Sequence, residues 1–266
     1  MEQHVLGSDW LITPAGGTSG EAYLAENSQQ QKLFLKRNSS PFLAILSAEG
    51  IVPKLVWTKR LADGDVITAQ KWLEGRVLSK DEMQQEAVVQ LMSKIHHSSE
   101  ILHLFMRMGK KPLEPWHFLV QLQEKSRSLS VLNTSFVQQV IQFLTQHIKH
   151  VENHRKVVCH ADVNHENWLL GEDNHLYLID WDNAVLADPA MDLSMMLYQY
   201  IPRDSWDDWL QQYGIELDQP LLARIQWYRL AQSLSYYLWH LDQGDEHESE
   251  KWKKQLLQEQ ALFINR

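Results

Sequence analysis

A histidine, an aspartate and an asparagine stand at set spacing in His160-Ala161-Asp162-Val163-Asn164-His165-Glu166-Asn167. The pattern reads HxDxxxxN, and its residue types suit transfer of a phosphoryl group. That reaction asks little covalent help of a protein and a great deal of positioning and charge. Asp162 is the kind of group that orients an acceptor hydroxyl and takes its proton. The Asn167 amide oxygen can point back at a metal ion. Further on, Leu178-Ile179-Asp180-Trp181-Asp182 closes an apolar run on a carboxylate. Asp180 there would hold Mg²⁺ against a triphosphate, and Asp182 offers a second acid. His160, His165 and the pair His96-His97 lack the ligand set and outer shell of a zinc site, so His160 is read as orienting the loop. Each of these residues alone would be an ordinary surface acid or turn residue. Their joint spacing, with a strand-like segment on either side, is what carries the reading.

The N-terminal region supplies residues that suit a nucleotide. Pro14-Ala15-Gly16-Gly17-Thr18-Ser19-Gly20 precedes the apolar Ala22-Tyr23-Leu24. The backbone N–H groups of Gly16, Gly17, Thr18, Ser19 and Gly20 could cover phosphates, although the string is not GxGxxG and a plain hairpin loop reads equally from it. Lys36 follows the apolar Leu33-Phe34-Leu35 and would meet the α- and β-phosphates of ATP as a point charge, with Glu49 as its expected ion-pair partner. Thr68 to Gly75 passes from an apolar strand to a polar, glycine-ended stretch. There the main chain around Gln70 and Trp72 is the expected contact for an adenine edge.

The elements that must position these groups fall into two kinds. Residues 1–72 read as short strands with one helix near Leu43 to Glu49, a nucleotide-binding lobe. Residues 73–266 read as helical, with apolar residues recurring at helical spacing, for instance Val88, Leu91, Met92 and Ile95. One β-rich island interrupts the helices, Lys156 to Cys159 and Leu176 to Ile179, with a hairpin turn expected at Gly171-Glu172-Asp173-Asn174. The expected class is therefore α+β. Asp188-Pro189-Ala190-Met191-Asp192 opens a helix, with Asp188 as its cap and Asp192 in a structural role, bracing the loop at His160. Most of the eleven tryptophans, Trp206, Trp209, Trp227 and Trp239 among them, are read as core anchors. Trp168 and Trp181 flank the metal candidates and are read as walls of an acceptor site that also takes in Asp182, the two rings able to stack on a sugar face or a quaternary nitrogen.

Composition excludes several classes. A net charge of −9 does not suit a surface that neutralises DNA phosphates, so no nucleic-acid partner is expected. The single cysteine, Cys159, rules out an internal disulfide framework and fits a reducing compartment. No apolar run reaches the length of a membrane span and no signal-peptide pattern appears, so a cytoplasmic protein without a membrane partner is expected.

Taken together, the chain resembles the aminoglycoside-phosphotransferase and choline-kinase superfamily, and within it the YtmP-like cell-cycle regulators of low-GC Gram-positive bacteria. The resemblance runs from Gly17-Thr18-Ser19-Gly20-Glu21-Ala22-Tyr23 through Trp57 to Gly64, Ala69 to Leu73, His160 to Trp168 and Tyr177 to Asp182, and on to Asp192 and His240. It implies a bilobal protein-kinase-like fold with a small β-rich N-terminal lobe and a larger helical C-terminal lobe. It also implies ATP with Mg²⁺, a pentose acceptor such as ribose or 2-deoxyribose, a role in timing replication initiation, and cell-division or replication proteins as candidate partners. One departure stands out: Ala161 occupies the position after the histidine where the resemblance implies glycine. A choline, ethanolamine or thiamine kinase is the competing enzyme reading. A nucleotide-binding regulator acting by docking a partner is the competing reading from another class.

Overall fold

The computed structural model describes residues 6–15 and 22–264. It divides into two units, and the division is not a single cut near residue 72. The first unit joins residues 1–82 to 99–108 and 164–183; the second takes 83–98, 109–163 and 184–266. The chain therefore passes from one unit to the other inside the HxDxxxxN segment, between Val163 and Asn164.

In the first unit, an antiparallel sheet is built from β1 (Trp10–Pro14), β2 (Ala22–Asn27), β3 (Lys32–Arg37), β4 (Leu55–Arg60) and β5 (Val66–Lys71), in the order β1-β2-β3-β5-β4. Alternation sets its faces: on β3, Leu33 and Leu35 pack with Ala25, Ile67 and Ala69 on one side, leaving Lys36 on the other. Asn27 closes the β2–β3 turn, its Oδ1 accepting from Gln29 N at 3.0 Å and Gln31 N at 2.9 Å. Helix α1 (Phe42–Ala48) buries Phe42 and Leu46, one turn apart on a single face. Phe42 meets Phe105 of α3 (Ser99–Arg107) edge to face, with centroids 4.6 Å apart.

A second small sheet sits in the same unit. Strand β6 (Gly75–Val77) pairs with β8 (Trp168–Gly171), which pairs with β9 (Leu176–Leu178). This ladder is the physical reason that 164–183 groups with the N-terminal sheet. A Cβ at Gly75 would collide with the carbonyl oxygen of Leu170, so the β6–β8 approach requires glycine. The expected turn at 171–174 closes the β8–β9 hairpin, with Gly171 N donating to His175 O at 3.0 Å. The island at Lys156 to Cys159 does not join it: β7 (Val157–Cys159) pairs instead with β10 (Val185–Ala187) in the second unit.

That unit is otherwise helical. Helices α4 (Pro115–Ser128), α5 (Ser135–His147) and α6 (Ala190–Gln199) pack on the 24-residue α8 (Gln219–Asp242), which also packs on α9 (Glu246–Phe263), while α2 (Glu86–His97) packs on α7 (Trp206–Tyr213). Helix α8 is capped by Asp218, whose Oδ1 accepts from Leu221 N at 2.7 Å, and α9 by Asp245. Gly214 ends α7 at φ +105°, a left-handed cap that glycine takes without a Cβ clash. Trp206, Trp209 and Trp227 are buried in this core as expected, but Trp239 is 48% exposed. Among the described residues, no helix is long and apolar enough to cross a membrane.

Candidate active site

The residues expected to face the phosphates, Lys36 and Asp180, come together in the first unit. Lys36 leaves the sheet on the face opposite its core, and its Nζ lies 2.8 Å from Asp180 Oδ1 and 2.7 Å from Asp182 Oδ2. Burial opposes the Lys36 charge, but hydrogen bonds and the charges of both acids outweigh it and hold the ammonium above its ordinary range. The two carboxylates are about half exposed, whereas the lysine is largely covered. Asp180 adopts φ +63°, a left-handed conformation that is uncommon for a residue with a Cβ and costs on the order of 1 kcal/mol. The backbone around it is well anchored. Leu178 N donates to Ile51 O at 2.9 Å, Ile179 N to Asn167 O at 2.8 Å, and Trp181 Nε1 to Leu178 O at 2.7 Å. The Ile179 bond ties the segment carrying Asp180 to that carrying Asn167. Asn164 caps the short turn leading to Asn167, its Oδ1 accepting from Glu166 N at 2.9 Å.

Asp180, Asp182 and Asn167 form a set of hard oxygen donors, two of them anionic, which is the chemistry Mg²⁺ selects. The residues present therefore fit the ion.

Several expected roles change. Lys36 pairs with Asp180 and Asp182 in place of Glu49, which follows α1 as its C-cap. Asp182 thus shares Lys36 with Asp180. Trp168 is fully buried and Trp181 is 5% exposed, the latter set edge to face on Phe42, so both are packing residues with no ring face to offer a ligand. Gln70 lies in β5, which is paired on both edges, opposite Phe34 and Leu55. Its side chain donates to Pro53 O at 2.8 Å, and the residue is 7% exposed. Trp72 lies just past the strand; its N–H reaches Lys32 O at 3.3 Å and its ring borders an open cavity of about 570 Å³ with Lys32 and Glu74. Gly16, Gly17, Thr18, Ser19 and Gly20 lie outside the described residues. The strands on either side are paired as far as Pro14 opposite Tyr23.

The second unit holds the other half of the motif. Strand β7 delivers His160, 1% exposed, into a turn where Ala161 takes φ +66°. Asp192, in the first turn of α6 and equally buried, accepts from His160 N and from Ala161 N, each at 2.8 Å. Asp192 Oδ2 also meets His96 Nε2 at 3.0 Å, and His96 Nδ1 meets the Tyr213 hydroxyl at 2.7 Å. Burial pushes the Tyr213 phenol far up, so it stays protonated. Asp162 N donates to His160 Nδ1 at 3.3 Å, which makes His160 a support for the loop. Asp162 Oδ1 accepts from the Tyr236 hydroxyl at 3.0 Å. Asp188 is fully buried, where it accepts from Ala190 N at 2.9 Å and pairs with Arg224 at 3.1 Å. Donor atoms of His96, Cys159 and Asp192 lie within 4.8 Å of one another. The Asp192 oxygens are already committed to two backbone N–H groups and an imidazole, and burial raises the Cys159 thiol well above its ordinary range, so the trio reads as structural.

His96, Tyr213, Arg224 and Tyr236 escape sequence reasoning. His96 sits in a helical apolar pattern at Met92 and Ile95, which marks an inward face but not a partner. Tyr236 and Tyr237 are adjacent and look equivalent; only the helix phase separates them, sending Tyr237 to Phe136 and Tyr236 to Asp162.

A family model described as the phosphotransferase enzyme family matches residues 10–228. Among solved structures, the chain is similar to the choline kinase LicA of Streptococcus pneumoniae, with a TM-score of 0.74, 16% identity, and 98% of this chain and 96% of that one covered. It is also similar to the aminoglycoside phosphotransferase APH(2")-IIIa in its GDP and kanamycin complex, with a TM-score of 0.72 at 15% identity over 96% and 94% of the chains. An ethanolamine kinase of Plasmodium vivax gives 0.67 at 15% identity over 94% and 80%. At these identities the likeness is one of fold, a sheet-rich N-terminal region followed by a helical C-terminal one. The family match extends over most of the sequence, and the chain belongs to the phosphotransferase enzyme family.

Proposed function

We propose that this member of the phosphotransferase enzyme family is an ATP- and Mg²⁺-dependent kinase for a small neutral alcohol, with ribose or 2-deoxyribose as its acceptor. The observation that carries the reading is the Lys36 cluster: one largely covered ammonium held by two half-exposed carboxylates. Such a cluster is built to exchange partners. With nucleotide bound, Lys36 would turn to the phosphates, and Asp180, Asp182 and Asn167 would be the residues that hold the ion. When bound, Mg²⁺ supplies positive charge to the triphosphate oxygens. Asp162 orients the acceptor hydroxyl. As the acceptor oxygen bonds to the γ-phosphorus and the bond to the bridging oxygen breaks, Asp162 takes the hydroxyl proton.

A neutral acceptor is supported by what the aromatic residues do. Trp168 and Trp181 are interior, and the Trp252 face is stacked on Tyr236 with the Arg229 guanidinium 6.0 Å from its ring. None of these offers the open ring faces that a quaternary ammonium requires. The pentose assignment and the link to replication timing and division proteins draw their support from the YtmP-like strings, above all Trp57 to Gly64 and Tyr177 to Asp182.

The test is ADP release with Mg²⁺-ATP across ribose, 2-deoxyribose, choline, thiamine and no acceptor. Pentose-dependent turnover that falls by at least about 10²-fold in Asp162→Asn is the expected result. Turnover with choline or thiamine, or full turnover in the variant, overturns it.

A further inference from the structure

One tryptophan read from the sequence as a core anchor lies at the surface, and its place on α8 is specific. Trp239 is 48% exposed. It stands three residues after Tyr236, whose hydroxyl meets Asp162 Oδ1 at 3.0 Å, and three before Asp242, whose carboxylate pairs with Lys125 of α4 at 2.7 Å. Residues three apart are neighbours on a helix surface. The indole therefore lies between the turn that carries Asp162 and the last turns of α4, all within the second unit. One side of the ring is held: His240 packs against it at 86° with centroids 4.6 Å apart, and His240 Nδ1 lies 3.5 Å from Asp245, the cap of α9. The inward side of this turn is already filled by the buried Tyr237 and Leu238, so the indole is surplus to the packing.

We propose that Trp239 is the platform of the acceptor site: one face of a pentose ring rests on the indole, which presents a hydroxyl of the sugar toward Asp162. The inference rests on the function proposed above, since it takes Asp162 as the group that meets the acceptor. A pentose carries hydroxyls at its rim and C–H groups on its faces. Covering a C–H face with an aromatic ring removes apolar surface from water and leaves the rim free for hydrogen bonds. A flat indole gives that contact at little conformational cost, because two torsions place the whole ring. The surroundings suit an uncharged ligand. Asp242, one turn on, is committed to Lys125, and a quaternary ammonium is held by a cage of several ring faces, of which Trp239 supplies one. The acceptor wall expected at Trp168 and Trp181 is thereby moved to a tryptophan far along the chain from the acids.

The test follows the ring itself. Protein carrying fluorotryptophan is observed by fluorine NMR with Mg²⁺-ADP present, Trp239→Phe assigning the signal, while ribose or choline is added. The expected result is a Trp239 signal that shifts with ribose to a plateau, while those of the buried Trp206 and Trp227 stay in place. In turnover, Trp239→Ala should raise the KM for ribose about tenfold and leave the KM for ATP unmoved, and Trp239→Phe should recover most of the loss by keeping a flat ring. The Tm of Trp239→Ala should stay within about 2 °C of the parent, as for a surface position. A Trp239 signal unmoved by ribose overturns the proposal, as does one that moves with choline alone, an unchanged KM for ribose in Trp239→Ala, or a raised KM that comes with a lower Tm. Full turnover in Asp162→Asn, or turnover of no acceptor at all, would instead defeat the kinase reading, and the fluorine signal then decides by itself whether a pentose rests on Trp239.

Discussion

Lys36 with its two acids and Asp192 with its three donors are both ionic clusters, and they are built for opposite purposes. The Lys36 acids are half exposed, so their charges are solvated with or without the lysine and the cluster can trade an ammonium for a metal ion. Asp192 is 1% exposed and its donors are backbone N–H groups and a buried imidazole. No water can replace them, so the arrangement holds or the loop is lost. The first cluster keeps its charges within reach of solvent, and the second fixes its charge behind the turn at His160.

Three substitutions would break or sharpen that contrast. The largest effect is expected for Asp192→Ala. It strands the N–H groups of His160 and Ala161 in a buried site, so denaturant unfolding should report a loss of about 3 to 5 kcal/mol. A loss below about 1 kcal/mol would mean that the brace is dispensable. Lys36→Met should cost less than about 1 kcal/mol in the same assay, as for half-exposed ion pairs. It should nonetheless weaken ATP binding by on the order of tenfold in calorimetry, which is the signature of a cluster kept for its ligand. A large unfolding penalty without a binding defect would reverse the assignment. The smallest effect belongs to Ala161→Gly. Alanine at φ +66° pays a steric cost that glycine does not, so thermal unfolding should show a gain of about 0.5 to 1 kcal/mol with turnover retained. A net loss would show that the looser unfolded chain outweighs the relieved strain.

Part of this molecule could be read along the chain and part could not. Alternation in Leu33 and Leu35 marked β3 and hence the exit of Lys36, and the turn at 171–174 marked the β8–β9 hairpin. The bracing of the loop by Asp192 was legible by analogy with kinase-like folds, where an acid at this location holds the loop through backbone hydrogen bonds. Misreadings arose where one segment's partner lay elsewhere in the chain. β7 looked like a companion of β9 but pairs with β10. Trp168 and Trp181 looked like ligand walls because they adjoin the acids in sequence, yet alternation and the turn after β9 send them inward. Glu49 was a plausible partner for Lys36 by analogy with an acid on a following helix, and the lysine is instead taken by Asp180 and Asp182, which lie far along the chain.

The amino-acid sequence by itself determined the chemistry and the local geometry of the loop. In HxDxxxxN and in Leu178 to Asp182 the functional groups are a few bonds apart, so residue type and strand or turn propensity suffice to place them. Only the tertiary structure decided the partners. Lys36 and Asp180 are 144 positions apart, His96 and Asp192 are 96, and Tyr236 and Asp162 are 74. Contacts at such separations depend on sheet register, helix phase and the angles at which helices pack, quantities that no local pattern encodes.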